Sequence, residues 1–113
     1  MAYRVETTAS AERDFWSCYD YIRKHSPIGA LHWVDAFDAA RTALEQDPGR
    51  GQAPESEDSA EDIREKLFKT RHGRPYRILF VLRQEVVYIL HVRGPGQDLM
   101  ASDEIELPDS DDA

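Results

Sequence analysis

Tyr76, Arg77, His91 and Arg93 are the residues of this 113-residue chain whose types and spacing could do chemistry. His91 is the acid–base candidate, because an imidazole titrates near neutrality. A strand-end histidine hydrogen-bonded to its neighbours readily explains the same residue. Arg77 and Arg93 carry planar guanidinium forks that bind the oxygens of phosphate or carboxylate in pairs. Lys69 and Arg71 add positive charge close by in the sequence. All of them lie in a basic island. Residues 63–97 hold eight Lys and Arg against two carboxylates, a balance of +6. The remaining six cations and twenty carboxylates leave the rest at −14 and the whole chain at −8. Within the island, cations alternate with Ile, Leu, Phe and Val at strand spacing. A sheet built from such runs buries one set of side chains and offers Arg on another. The same cations are also accounted for if they only solvate strand edges and oppose aggregation.

Whether these groups meet depends on strand register. Arg77, Leu79 and Val81 share one face of their run; Val87, Ile89, His91 and Arg93 share one face of the next. A three-residue turn between the runs sets Arg77 opposite His91, whereas a two-residue turn sends the two to opposite faces. Both registers are open at this level.

The elements that must position the residues are easier to read. Residues 3–7, YRVET, alternate as a short strand does. Thr8 or Ser10 can cap a helix whose stripe is Ala11, Phe15, Cys18 and Ile22, ending near Lys24–His25. Ser26-Pro27 restarts a helix, and its stripe is Ala30, Trp33, Val34, Phe37, Ala40 and Leu44. Pro48-Gly49 and Gly51 stop it. So brief a break predicts a helical hairpin. After a polar loop near residues 49–62, strand-like runs occupy about 63–71, 75–83 and 86–93. Their short connections predict an antiparallel meander. The string β-α-α-β-β-β predicts an α+β domain over residues 1–98, a helical hairpin packed on a small, mainly antiparallel sheet. Residues 99–113 are expected to be an acidic tail, partly disordered.

Composition narrows the function classes. The lone Cys18 cannot form an internal bridge and suits a reducing compartment. With no apolar run near the ~20 residues that cross a bilayer and no signal-peptide core at the start, no membrane role and a cytoplasmic location are expected. The histidines lack partners at ligand spacing, so neither a metal nor a cofactor is expected. Gly94-Pro95-Gly96 follows a strand but opens no helix, which makes it a turn rather than a phosphate loop. Overall acidity argues against a nonspecific nucleic-acid binder. That charge is clustered, however: residues 55–62 hold five carboxylates and residues 98–113 seven, neither with a Lys or Arg. The second cluster could fold over the basic sheet, or serve only solubility.

The ordered set SPIGALHWVDAFDAARTALEQDP, IREKLF, YRILFVL and VVYILHVRGPGQD resembles the RelE/ParE superfamily, small toxins of bacterial type II toxin–antitoxin modules also known as plasmid-stabilisation proteins. The likeness covers about residues 3–98. It implies a compact toxin neutralised by a cognate antitoxin that is DNA-binding at one end and wraps the toxin with a segment that orders on binding. It also implies one of two activities. RelE-like members cleave messenger RNA on the ribosome with sheet cations and a tyrosine; ParE-like members inhibit DNA gyrase. Arg77, after Tyr76, matches the arginine of the YR strand found in both branches, and Lys69 lies near a basic position of the RelE strand before it. After Arg93 there is no Arg, Lys, His or Tyr, so the C-terminal Arg and Tyr of a RelE-type nuclease have no counterparts. The HVRGPGQD ending is closer to ParE. The expected function is therefore a toxin of ParE type acting on a protein such as gyrase, with Lys69, Arg71, Tyr76, Arg77 and Arg93 as its binding residues. The alternatives are a metal-independent, ribosome-dependent mRNA endonuclease and a non-toxic antitoxin-binding homologue. RNA cleavage at the 2′-hydroxyl needs a proton acceptor, a proton donor and cations on the phosphorane, roles open to His91, Arg77 and Arg93.

Overall fold

The computed structural model describes residues 2–50, 62–95, 105, 107 and 108. The chain forms β1 (Arg4–Thr7), α1 (Ala9–His25), α2 (Pro27–Gln46), a 3-10 turn (Pro48–Arg50), β2 (Arg64–Phe68), β3 (Tyr76–Arg83) and β4 (Val86–Arg93). This is the predicted order and class. β2 is shorter than expected, stopping at Phe68 before the polar connection.

Polar side chains set the helix ends. The Thr8 hydroxyl accepts from the Ala11 N–H at 3.3 Å and donates to the Ile89 carbonyl at 2.8 Å, so one oxygen both opens α1 and ties it to β4. Ser26 alone joins the helices. Its N–H donates to the Ile22 carbonyl at 2.7 Å, closing α1, and its hydroxyl accepts from the Gly29 N–H at 3.0 Å, opening α2. Pro27 takes the first helical position, where a missing N–H costs nothing.

The sheet order is β1-β4-β3-β2. β1 runs parallel to β4, and the other ladders are antiparallel. The hairpin covers one face. Trp33, Phe37, Ala40 and Leu44 of α2, with Ala11 of α1, are buried against Val5, Phe68, Ile78, Phe80, Val87, Ile89 and Val92. Aromatic rings bind this layer: Phe15–Phe37 centroids lie 4.8 Å apart and Trp33–Tyr76 centroids 5.4 Å apart, each such pair contributing about 0.5–1.5 kcal/mol beyond burial.

The far face of the sheet is also apolar. Ile63, Leu79, Val81, Tyr88 and Leu90 form a second buried cluster, joined by Ile105 from beyond the last strand. β3 and β4 are thus covered on both sides, which is why their sequences read as continuous apolar runs. Ile105, Leu107 and Pro108 are the described part of the predicted tail; the rest of residues 99–113 lies outside the described residues.

Candidate functional site

The register is set by a turn and a bulge together. Gln84 and Glu85 form a two-residue turn, with Gln84 at φ 57° and Arg83 paired with Val86. That turn alone would set Arg77 opposite Val92 and send Arg93 to the helix side. Instead Phe80 pairs with Ile89 and Leu79 with His91, so Leu90 is an extra residue on β4. Beyond this bulge, Arg77 sits directly across from Arg93. Neither register weighed from the sequence is the one formed.

Two cations facing each other across a ladder repel. A carboxylate offsets this on the same face: Glu65 of β2 lies 3.9 Å from Arg77, their side chains 14% and 16% exposed. At that separation the contact is Coulombic rather than a hydrogen bond. Arg77 and Arg93 therefore occupy the far face, beside the cluster of Leu79, Val81 and Leu90.

His91 is buried, at 6% exposure. β1 ends at Thr7, so the last part of β4 has α1 rather than a strand along its edge. Asp14 of α1 takes the strand's place. Its Oδ2 accepts from the Val92 N–H at 3.1 Å and lies 2.9 Å from His91 Nδ1. An ionised carboxylate only accepts, so it selects the tautomer with the proton on Nδ1. His91 is thereby engaged in closing the sheet edge.

Tyr76 and Arg77, adjacent on β3, point to opposite faces. Tyr76 lies on the helix side and borders a cleft of about 640 Å³ together with Cys18, Tyr21, Trp33, Thr70 and Arg74. Burial pushes the Tyr76 phenol upward, with Cys18 and Tyr21 adding to the effect. Burial also pushes the Cys18 thiol up to about 11; Asp14 reinforces the shift and Arg93 opposes it. The thiol is therefore protonated at neutral pH and no nucleophile. Lys69, Arg71 and Arg74 are exposed on the connection between β2 and β3 at this end of the molecule, and among the described residues none forms an ion pair.

The predicted residues are thus distributed over two places. Lys69 and Arg71 stand on the exposed connection with Tyr76 in the cleft wall nearby, while Arg77, His91 and Arg93 share the other side of the sheet by register, His91 being tied to Asp14 at the β4 edge. Asp14, Thr70 and Arg74 were not singled out from the sequence. Asp14 had a signal: it falls three residues after Ala11 and four before Cys18, so a carboxylate stands at the margin of a buried stripe. Among the described residues, no three His, Cys, Asp or Glu side chains gather as a metal site would require, and no helix is long and apolar enough to cross a membrane.

The two-helix hairpin on a sheet of order β1-β4-β3-β2 is shared with known proteins. The family model described as ParE toxin of type II toxin-antitoxin system, parDE, matches residues 5–99. That span takes in nearly every helix and strand, and the chain belongs to the ParE toxin family. A solved chromosomal ParDE toxin–antitoxin system from P. aeruginosa has a similar fold, with a TM-score of 0.62 and 20% identity over 81% of this chain and 95% of that one. The RelBE2 toxin–antitoxin complex from Mycobacterium tuberculosis also matches, with a TM-score of 0.49 and 26% identity over 82% of this chain and 98% of the other. No curated protein matches.

Proposed function

We propose that this ParE-family chain is the toxin of a type II module, held inactive by a cognate antitoxin, and that it acts in the cytoplasm by binding a protein such as DNA gyrase rather than by cutting RNA. The observation that carries the reading is the engagement of His91 by Asp14. A phosphoryl-transfer site needs its proton carrier and cations within hydrogen-bond reach of one phosphate. Here the imidazole shares the Arg77–Arg93 side of the sheet but is 6% exposed and held 2.9 Å from Asp14, while Tyr76 looks out from the opposite face. A proton carrier engaged in this way, with the tyrosine on the other face, suits recognition better than catalysis.

On this reading Lys69 and Arg71 steer an acidic partner surface toward the cleft, where Tyr76 offers an aromatic contact. Arg77 and Arg93 serve a second contact on the far face. An antitoxin partner is supported by the similar solved structures, which are toxin–antitoxin systems.

The test is paired. Purified chain is added to a gyrase supercoiling reaction, and message ends are mapped after induced expression. Lost supercoiling with intact messages is expected, and His91→Ala should still inhibit if the variant folds. Site-specific cleavage that His91→Ala abolishes, with gyrase unaffected, would establish the nuclease reading instead. Neither effect, with antitoxin still tightly bound, would leave an antitoxin-binding module.

A further inference from the structure

The cleft of about 640 Å³ opens where β3 begins and β4 ends, between that end of the sheet and the bend of the helical hairpin. Its size falls within the range of about 300–1,000 Å³ common to small-molecule pockets. Trp33 and Tyr76 line it, their ring centroids 5.4 Å apart at 66°, and Ile22 and Pro95 add aliphatic surface. The Trp33 indole is 2% exposed, and its Nε1 meets no acceptor among the described residues. An indole N–H only donates, and leaving such a donor buried and unpaired is costly. Arg74 also lines the cleft, exposed and outside every ion pair among the described residues. No Asp or Glu lines it among the described residues. Burial keeps the protons on Cys18 and Tyr76 at neutral pH, so neither adds negative charge.

We propose that this cleft binds a small planar aromatic molecule with a carboxylate at one end and a neutral oxygen acceptor at the other. Each part answers a feature of the wall. The ring packs against Trp33 and Tyr76, since aromatic groups pair edge to face or offset. The carboxylate meets the Arg74 guanidinium, whose fork takes two oxygens at once. The neutral oxygen accepts from Trp33 Nε1, the donor that the fold leaves unpaired. That N–H is covered in the empty cleft, so it becomes reachable only as the ligand wedges between the wall side chains. Binding must therefore register at the indole itself.

The experiment titrates the full chain with 4-acetylbenzoate and follows the indole N–H signals by NMR. The chain has two tryptophans, and Trp16→Phe at the exposed site assigns them. The Trp33 signal should move and saturate with a Kd on the order of 0.1–1 mM, the strength expected of so small a ligand. Replacing the ketone by hydrocarbon of the same shape, in 4-isopropylbenzoate, should weaken binding about fivefold or more although the probe is more apolar. In Trp33→Phe the two probes should bind alike, because the donor that tells them apart is gone. Arg74→Ala should cost about fivefold with 4-acetylbenzoate, whereas Arg4→Ala, a cation lost from β1, should bind as wild type. If Trp33→Phe fails to fold, the comparison of probes on wild type decides alone. Absence of saturable binding, an unmoved Trp33 signal, equal affinity of wild type for ketone and hydrocarbon, or full affinity in Arg74→Ala would overturn the proposal. The probes need neither gyrase nor antitoxin, so failure here leaves the toxin reading untouched.

Discussion

Asp14 does two jobs with one carboxylate oxygen: it ends the β4 edge at the Val92 N–H and orients His91. Asp14→Ala leaves both donors without their acceptor in a largely buried setting, which costs about 1–3 kcal/mol for each buried group left unsatisfied. Urea unfolding should show a loss in that range; an unchanged midpoint would mean that water replaces the carboxylate at both donors. Arg77 needs a parallel caution. Removing it strips the nearby cation from Glu65, whose side chain is only 14% exposed, so weaker binding by Arg77→Ala has to be read beside its stability. Lys69 and Arg71 are exposed and escape that ambiguity. The double change Lys69→Glu with Arg71→Glu should slow association with an acidic partner by about tenfold at low salt, and the difference should shrink as ionic strength rises. Stopped-flow mixing across a salt series checks it, and a salt-independent effect would point to lost shape rather than charge.

At the scale of elements, the hairpin between β3 and β4 has the most to teach. Gln84 holds φ 57°, a left-handed conformation that an L residue adopts at a cost. Gln84→Gly should raise stability by about 0.5–1 kcal/mol, the relief exceeding the added chain entropy. A destabilised variant would show that the glutamine side chain contributes more than its backbone costs. Helices and caps were legible in the sequence because they rest on local signals: Thr8, Ser26-Pro27 and the stripe through Trp33 and Phe37 each reveal themselves within a few residues. The register was not. Val86 to Arg93 is apolar at almost every position because both faces are covered, so the two-residue alternation that reveals a bulge is absent. The extra residue at Leu90 decides which arginines meet, and only the ladder exposes it. The partners of Asp14 were illegible for a related reason: they lie 77 and 78 residues away, although its place beside the buried stripe was visible.

As a whole molecule, the chain concentrates positive charge on a sheet and its connection while remaining acidic overall, at −8. A binder built this way repels nonspecific polyanions at long range and presents cations only to a surface that fits at close range. The sequence located this asymmetry and the family, since the apolar strand wording and the basic island are properties of segments. It did not reveal that Ile105 lies in a second core.

The oxygen of Thr8 has a consequence for how the protein comes apart. It starts α1 through Ala11 and grips Ile89 across 81 residues of sequence. Most helix starts unravel on their own, because their first amides answer to nothing distant. Here the first turn cannot loosen without releasing a central strand. Local melting at that end therefore becomes part of the cooperative transition, and the amino-terminal entry to α1 belongs to the same folding unit as the middle of the sheet.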